Sequence, residues 1–179
     1  MRVITGAARG CRLQTLEGND VRPTTERVKE AMFSAIQFDI EGRRVLDLFA
    51  GSGQLGIEAL SRGAESAVFI DNSKKSLDVV KCNLAATKFT DKAKVIGTDY
   101  MSYLSMTPDR FDIVFMDPPY SQGILEAALQ SVTRVLSDYA IIVCEHPIDE
   151  TMPQQVANFG VHKVYRFGKL AFTIYRPAE

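Results

Sequence analysis

The chain has 179 residues, 46% of them apolar and 24% charged, and its 21 basic and 22 acidic residues leave a net charge of −1. That length supports one domain with a proper core, and the balanced charge means that a nucleic-acid partner must be met by a local basic patch. Three scattered cysteines (Cys11, Cys82, Cys144) and two histidines (His146, His162) argue against a disulfide framework or a metal site and for a reducing, cytoplasmic setting; no apolar run approaches the ~20 residues of a membrane span, and MRVITGAARG lacks a signal-peptide hydrophobic region.

Residues 1–22 read as a small, irregular, hairpin-like arm, with Val3-Ile4, Leu13 and Leu16 set among Gly6, Gly10 and Gly18. Its first twelve residues hold three arginines, Arg2, Arg9 and Arg12, and no acid; Arg22, Glu17 and Asp20 follow. Arginines on an exposed ribbon suit phosphate contacts, and charge alone equally allows a solvated terminal extension. Pro23-Thr24-Thr25 suits a helix entry. Val28, Met32, Ala35 and Ile36 then give one apolar face through about Phe38, with Arg27, Lys29 and Glu30 elsewhere. This helix either covers the sheet or reaches a ligand with Thr24, Thr25 or Arg27; its periodicity favours a cover.

The stretch from Arg44 to Ala64, RVLDLFAGSGQLGIEALSRGA, organises the rest. Val45, Leu46, Leu48 and Phe49 make a short buried strand with one carboxylate, Asp47, inside it. Gly51, Gly53 and Gly56 follow in G-x-G-x-x-G spacing, which permits a tight turn and close approach of a ligand to the backbone. Leu55, Ala59 and Leu60 continue at helical spacing to a stop at Gly63. About twenty residues beyond the loop, a second strand, Ala67 to Ile70, ends in Asp71, where an acid can accept hydrogen bonds from ribose hydroxyls. Glycines, strand, helix and acid together predict a nucleoside site.

Ser73 caps a helix predicted to run to about Ala86 on an inner face of Leu77, Val80 and Leu84, with Lys74 and Lys75 solvated. Ala93 to Ile96 is a third strand. Asp99 beyond it can meet an adenine amino group, cap the short helix from Tyr100 to Leu104, or do both. Phe111 to Met116 is a fourth strand that runs into Asp117-Pro118-Pro119-Tyr120. A helix is expected from Ile124 to Leu136 and a central fifth strand from Tyr139 to Cys144, terminated by Glu145-His146-Pro147. His146 is read as a loop or packing histidine, with pocket lining as the minority alternative. A weak helix from Ile148 to Phe159, interrupted by Pro153, precedes a closing hairpin of Val161–Phe167 and Leu170–Arg176 around Gly168-Lys169.

Alternating strands and helices demand parallel strands with right-handed crossovers, and the hairpin adds an antiparallel piece at the edge. Ligands in such a sheet bind beyond the carboxyl ends of the strands, which puts Gly51, Asp71, Asp99 and Asp117 on one rim. In Asp-Pro-Pro-Tyr the prolines fix φ and donate no hydrogen bonds, making a rigid lip with a carboxylate, exposed carbonyls and an aromatic ring. A planar base fits: Tyr120 stacks on it while Asp117 and the Pro118 carbonyl accept from an exocyclic amino group. Acceptors that hold those hydrogens out of the base plane favour the transition state as charge develops on nitrogen.

These residues resemble the class I S-adenosylmethionine-dependent methyltransferases with a D-P-P-Y motif, and among them the RsmD family of small-subunit ribosomal RNA guanine-N2 methyltransferases. The likeness is carried by ITGAARGCRL, RPTTERVKEAMFSAI, VLDLFAGSGQLGIEALSRGA, FIDNS and FDIVFMDPPY, and it runs nearly end to end. It implies an α/β, Rossmann-like fold: a seven-stranded, mainly parallel sheet with an antiparallel C-terminal strand and helices on both faces. It also implies a methyltransferase domain over residues 23–179 and an RNA-contacting arm over 1–22, with Arg2, Arg9 and Arg12 on the RNA. S-adenosylmethionine would lie against Phe49, Ala50, Gly51 and Gly53, its ribose on Asp71 with Asn72 nearby and its adenine at Asp99. Asp117 and Pro118 would hold the guanine amino group and Tyr120 would stack on the base. The expected partner is 16S rRNA, within a small ribosomal subunit or its precursor, met by a monomer without metal or membrane. The resemblance assigns Gln54 no role.

Three other functions share parts of this pattern. A DNA adenine or protein amide-nitrogen methyltransferase has the same lip, but no separate target-recognition domain stands out here. A non-catalytic, cofactor-binding assembly factor would not need an intact Asp117-Pro118-Pro119-Tyr120. A nicotinamide dehydrogenase shares the glycine loop and acid, yet ordinarily needs a substrate domain.

Overall fold

Strands that carry apolar side chains on both faces must be covered on both, and that requirement organises the computed structural model, which describes residues 1–17, 25–119 and 123–179. Along β1 (Arg44–Asp47), β2 (Ser66–Asp71) and β4 (Phe111–Met116), alternate side chains enter two separate cores. Val45, Phe69 and Phe115 face one core with Phe33, Ile57 and Val80 from the helices α1 (Glu26–Ala35), α2 (Gln54–Ser61) and α3 (Lys74–Thr87). Leu46, Ile70 and Met116 face the other with Leu104 and Leu129 from α4 (Tyr100–Met106) and α5 (Ile124–Val132).

With β3 (Ala93–Gly97), β5 (Leu136–Pro147), β6 (Gln155–Val156), β7 (Phe159–Phe167) and β8 (Leu170–Pro177), the described residues form one sheet in the order β3-β2-β1-β4-β5-β8-β7-β6. The first five strands pair in parallel. β8 runs antiparallel to β5 and β7 antiparallel to β8. β8, the last strand, is therefore inserted between β5 and β7 and is not at the edge; its Phe172, Ile174 and Tyr175 are buried. β1 lies between β2 and β4, so the chain reverses its direction of progress across the sheet there, and a crevice opens beyond the ends of these strands.

The helix over α2 ends as expected. Gly63, at φ +102, follows the cap residue Arg62; its amide returns to the Leu60 carbonyl and that of Ala64 to the Ala59 carbonyl, the paired bonds of a Schellman stop. Thr25 caps α1 by accepting the Val28 amide at 3.3 Å; Pro23 and Thr24 lie outside the described residues. α1 ends at Ala35, short of the predicted Phe38, which is 93% exposed. Lys29, expected off the apolar face, is fully buried.

Three expectations fail toward the C-terminus. α5 stops at Val132 and a 3-10 turn, Thr133–Val135, leads directly into β5. β5 begins at Leu136 and carries Glu145, His146 and Pro147 within it, paired to Phe172, Ala171 and Leu170. The segment 148–159 forms no helix; Gln155–Val156 becomes an eighth strand on β7, and the Tyr175 hydroxyl donates to the Pro153 carbonyl. Hairpin pairing with the strand that follows it, and the bond from Tyr175, outweigh weak helical propensity there.

The arm is bound to the body. Arg2 and Arg12 pair across an antiparallel bridge, and Val3 and Leu13 enter the same core as Phe33 and Ile57.

Candidate functional site

The loop after β1 turns because two glycines adopt positive φ, Gly51 at +57 and Gly53 at +81. They face different ways. A Cβ on Gly51 would meet only Leu16 Cδ1, at 4.0 Å, so this backbone is open to a ligand. A Cβ on Gly53 would lie 3.2 Å from both Val80 methyls, and one on Gly56 would lie 2.4 Å from Phe69. Gly56 thus lets α2 sit against β2, and Gly53, expected at the ligand, is turned toward the core.

Beyond the strand ends lies a cavity of about 710 Å³, within the usual size of a small-molecule site. Phe49, Ala50, Gly51, Asp71, Asn72 and Asp99 line it, and so do Asp117 and Pro118 from the end of β4. The predicted nucleoside residues and the predicted lip therefore open onto one space. Tyr120, expected to stack on the base, lies outside the described residues.

Two carboxylates in the wall, Asp71 and Asp99, are held by backbone amides. Asp71 accepts the Gly51 amide through Oδ2 and the Ser73 amide through Oδ1, both at 2.9 Å, and a carboxylate so held still has lone pairs for a ligand hydroxyl. Asp99 caps α4, accepting the Ser102 amide at 3.0 Å and its hydroxyl at 2.6 Å; these bonds keep its carboxyl below the usual carboxylate range. The capping role assigned to it is real, and its place in the cavity wall leaves the other open. Phe49 and Tyr100 present rings 5.1 Å apart and tilted by 47°, an aromatic corner beside Asp99 suited to a flat heterocycle.

Asp47 and Gln54 also line the cavity, and neither has a role in the sequence pattern. Asp47 is buried at the end of β1, where burial pushes its pKa up to about 7 against the pull of the Gly56 amide at 3.1 Å, and the charge of Asp71 adds to the rise. Gln54 opens α2 with its Oε1 buried and, among the described residues, without a hydrogen-bond partner. The signal for Asp47 was visible as a lone acid in an apolar strand. Met1, Thr15 and Leu16 complete the wall from the arm, a contribution that only the tertiary docking reveals.

Arg2, Arg9 and Arg12 stay exposed on the arm, outside the cavity, with Arg2 3.5 Å from Glu26. His146 takes its packing role. Its Nδ1 is 2.8 Å from the Pro147 carbonyl and its Nε2 2.8 Å from the Thr173 hydroxyl. In the neutral ring the carbonyl fixes the proton on Nδ1, and Nε2 accepts from Thr173.

The family described as Conserved hypothetical protein 95 matches residues 1–176. Ribosomal RNA small subunit methyltransferase D of Escherichia coli (strain K12) is 35% identical over 178 residues, 98% of this chain and 89% of that protein. YlbH of Bacillus subtilis (strain 168) is 38% identical over 181 residues, 98% of each chain. The solved structure of yhhF from Escherichia coli matches with a TM-score of 0.89 at 34% identity, over 99% of this chain and 98% of that one.

Proposed function

The chain belongs to the family described as Conserved hypothetical protein 95, the RsmD family, and on that premise we propose that it transfers a methyl group from S-adenosylmethionine to the exocyclic N2 of a guanine in 16S ribosomal RNA. The observation that carries this reading is the shared cavity: Gly51 and Asp71 on one side, Asp117 and Pro118 on the other.

The wall suits that cofactor. It is rich in acceptors, with Asp47, Asp71, Asp99 and the orphaned Gln54 Oε1, and the cofactor is rich in donors: an ammonium, two ribose hydroxyls and an adenine amino group. Phe49, Ala50 and Gly51 would border its methionine part, Asp71 and Asn72 its ribose, and Asp99 its adenine. When bound, it supplies an electrophilic methyl group on a sulfonium.

The chain's own residues do the rest. Asp117 and the Pro118 carbonyl accept the two hydrogens of the guanine amino group and turn its lone pair out of conjugation with the ring. Asp117 would stabilise the positive charge that grows on the nitrogen as it takes up the methyl group and would receive its surplus proton along that hydrogen bond. Tyr120 stacks on the base and holds the nitrogen in line with the methyl group. Arg2, Arg9 and Arg12 bind rRNA phosphates, within a small ribosomal subunit or its precursor in the cytoplasm, so residues 1–22 act as the RNA-contacting part and 23–179 as the catalytic domain.

Mass-spectrometric mapping of modified bases in 16S rRNA, from cells with and without the active protein, tests the proposal. Loss of one N2-methylguanine on deletion, restored by the wild-type gene, is the expected result; an unchanged set of modified bases overturns it.

A further inference from the structure

Asn83, buried on α3, joins two segments far apart in the chain. Its Oδ1 accepts the Gln14 amide at 2.7 Å, while its Nδ2 donates to the Gln14 carbonyl at 3.0 Å and the Ser52 carbonyl at 2.9 Å. The two carbonyls fix which way round the amide sits, because the reverse would set its oxygen against two acceptors. Ser52 lies between the glycines of the cavity loop. Gln14 precedes Thr15 and Leu16, both in the cavity wall, and Leu16 reaches to 4.0 Å from where a Gly51 Cβ would be.

The other end of the arm is tied to the helix that this loop opens. Ile4 and Thr5 give their amides to the Glu58 carboxylate at 3.0 and 3.1 Å, and Ala8 gives its amide to Ser61 Oγ at 3.0 Å. Arm, glycine loop and α2 are therefore one hydrogen-bonded assembly, and the cavity is walled partly by the element that carries Arg2, Arg9 and Arg12.

We propose that Asn83 is a positioning residue that couples S-adenosylmethionine binding to RNA binding by the arm, an inference that rests on the function proposed above. A ligand that fills the cavity against Leu16 orders the loop and, through Asn83, the arm. RNA held on the arm orders the same wall in return. Each ligand then meets a surface the other has already stiffened, and the coupling is reciprocal.

The test uses S-adenosylhomocysteine, the demethylated cofactor, in place of S-adenosylmethionine throughout, so that no methyl transfer consumes the ligands. It measures the affinity of that ligand by calorimetry with and without unmodified small ribosomal subunits, subunit affinity with and without it, and amide hydrogen exchange over residues 3–13. Wild type is expected to show each ligand tightening the other by the same factor, about fivefold or more, with exchange in the arm slowed by S-adenosylhomocysteine. Asn83→Leu leaves the polar groups of Gln14 and Ser52 without this partner. It is expected to weaken S-adenosylhomocysteine roughly tenfold, bring the coupling factor near one and abolish the slowing. Leu16→Ala spares the buried network and is expected to weaken S-adenosylhomocysteine severalfold.

A wild-type coupling factor of one overturns the inference, as does a folded Asn83→Leu protein with wild-type affinity and coupling. Should Asn83→Leu fail to fold, wild-type affinity in Leu16→Ala overturns it instead. A wild-type chain that binds no S-adenosylhomocysteine overturns the proposed function itself.

Discussion

Asp71 accepts the Gly51 amide at 2.9 Å, so the end of β2 holds in place the loop that follows β1. The same carboxylate secures Ser73, the cap of α3. A ligand on Asp71 therefore meets an acid whose position is set from two sides before anything binds. Asp71→Ala removes both the ligand acceptor and the anchor of the loop. Hydrogen bonds to a charged group contribute about 1.5–3 kcal/mol each, so calorimetry should show S-adenosylmethionine affinity falling by roughly a hundredfold. Asp71→Asn should fall nearly as far, since its NH₂ would face one of the two amides.

Asp47 gives the cavity a pH dependence. Its pKa in the folded chain is pushed up to about 7, above that of an unfolded aspartate, so the folded chain holds a proton that the unfolded chain has lost. Its ionisation penalty is absent below about pH 4, grows through the interval and is complete above about pH 7. The Asp47 contribution to stability thus falls as pH rises, by about 4 kcal/mol at most. A ligand ammonium nearby would draw the pKa down, so binding should release a proton near neutrality and tighten as pH rises through 7. Asp47→Asn should flatten both profiles, as read by thermal melts from pH 5 to 8 and by calorimetry in buffers of different ionisation enthalpy.

Glu58 and Lys29 meet 3.5 Å apart with both side chains fully buried, and Arg62 closes the cluster 3.0 Å from the other Glu58 oxygen. Burial pulls the Lys29 pKa down while Glu58 pulls it back up. Glu58→Leu would strand the lysine and the amides of Ile4 and Thr5. Breaking a buried pair from one side costs about 3–5 kcal/mol, so urea unfolding should shift by that amount. The double variant Glu58→Leu, Lys29→Met should recover a large part of it, because no unpaired ammonium remains; a double-mutant cycle reads the difference.

Asp117 lines the same cavity as Asp71 and Asp99, and in the proposed function it holds the base while they hold the cofactor. Asp117→Ala should therefore lower kcat by roughly a hundredfold or more while S-adenosylmethionine affinity stays within about twofold of wild type, a 1 kcal/mol band or less. A single-turnover assay beside calorimetry separates the two. Full activity in this variant would remove Asp117 from the chemistry.

The glycine loop and the Asp-Pro-Pro segment at the cavity are legible in the sequence because each is a local event: an apolar strand, then residues whose backbone or carboxylate is unusual, at spacings set by strand and helix. The strand order places Asp71, Asp99 and Asp117 on one rim, since parallel strands put all their carboxyl ends together. Lys29 was misplaced because its partner, Glu58, lies on another helix, and a charged residue reads as solvated unless its counter-ion can be seen. The segment 148–159 departs from a helix because Gln155–Val156 pairs in a tight hairpin with β7 and the Tyr175 hydroxyl holds the Pro153 carbonyl. Gly53 was assigned to the ligand from its place in the motif, and only the nearness of Val80 shows that it faces inward. The docking of the arm, through Asn83 and Glu58, depends wholly on tertiary contacts.

That docking decides how the arm arginines are to be tested. Removing residues 1–12 would also strip Val3 from the core and the amides of Ile4 and Thr5 from Glu58, so a truncation confounds RNA contact with folding. Arg2, Arg9 and Arg12 are exposed and can be changed without touching that network; Arg2 has a neighbouring acid, Glu26 at 3.5 Å. Replacing all three by Gln should leave the thermal melt within about 0.5 kcal/mol of wild type, as surface changes usually do. Binding to small ribosomal subunits should weaken, and the slope of log affinity against log salt should become shallower by roughly 2 to 3 if each arginine meets one phosphate. An unchanged salt slope would show that the arm meets the RNA without its arginines on phosphate, and the basic ribbon would then be only the outer face of the cofactor wall.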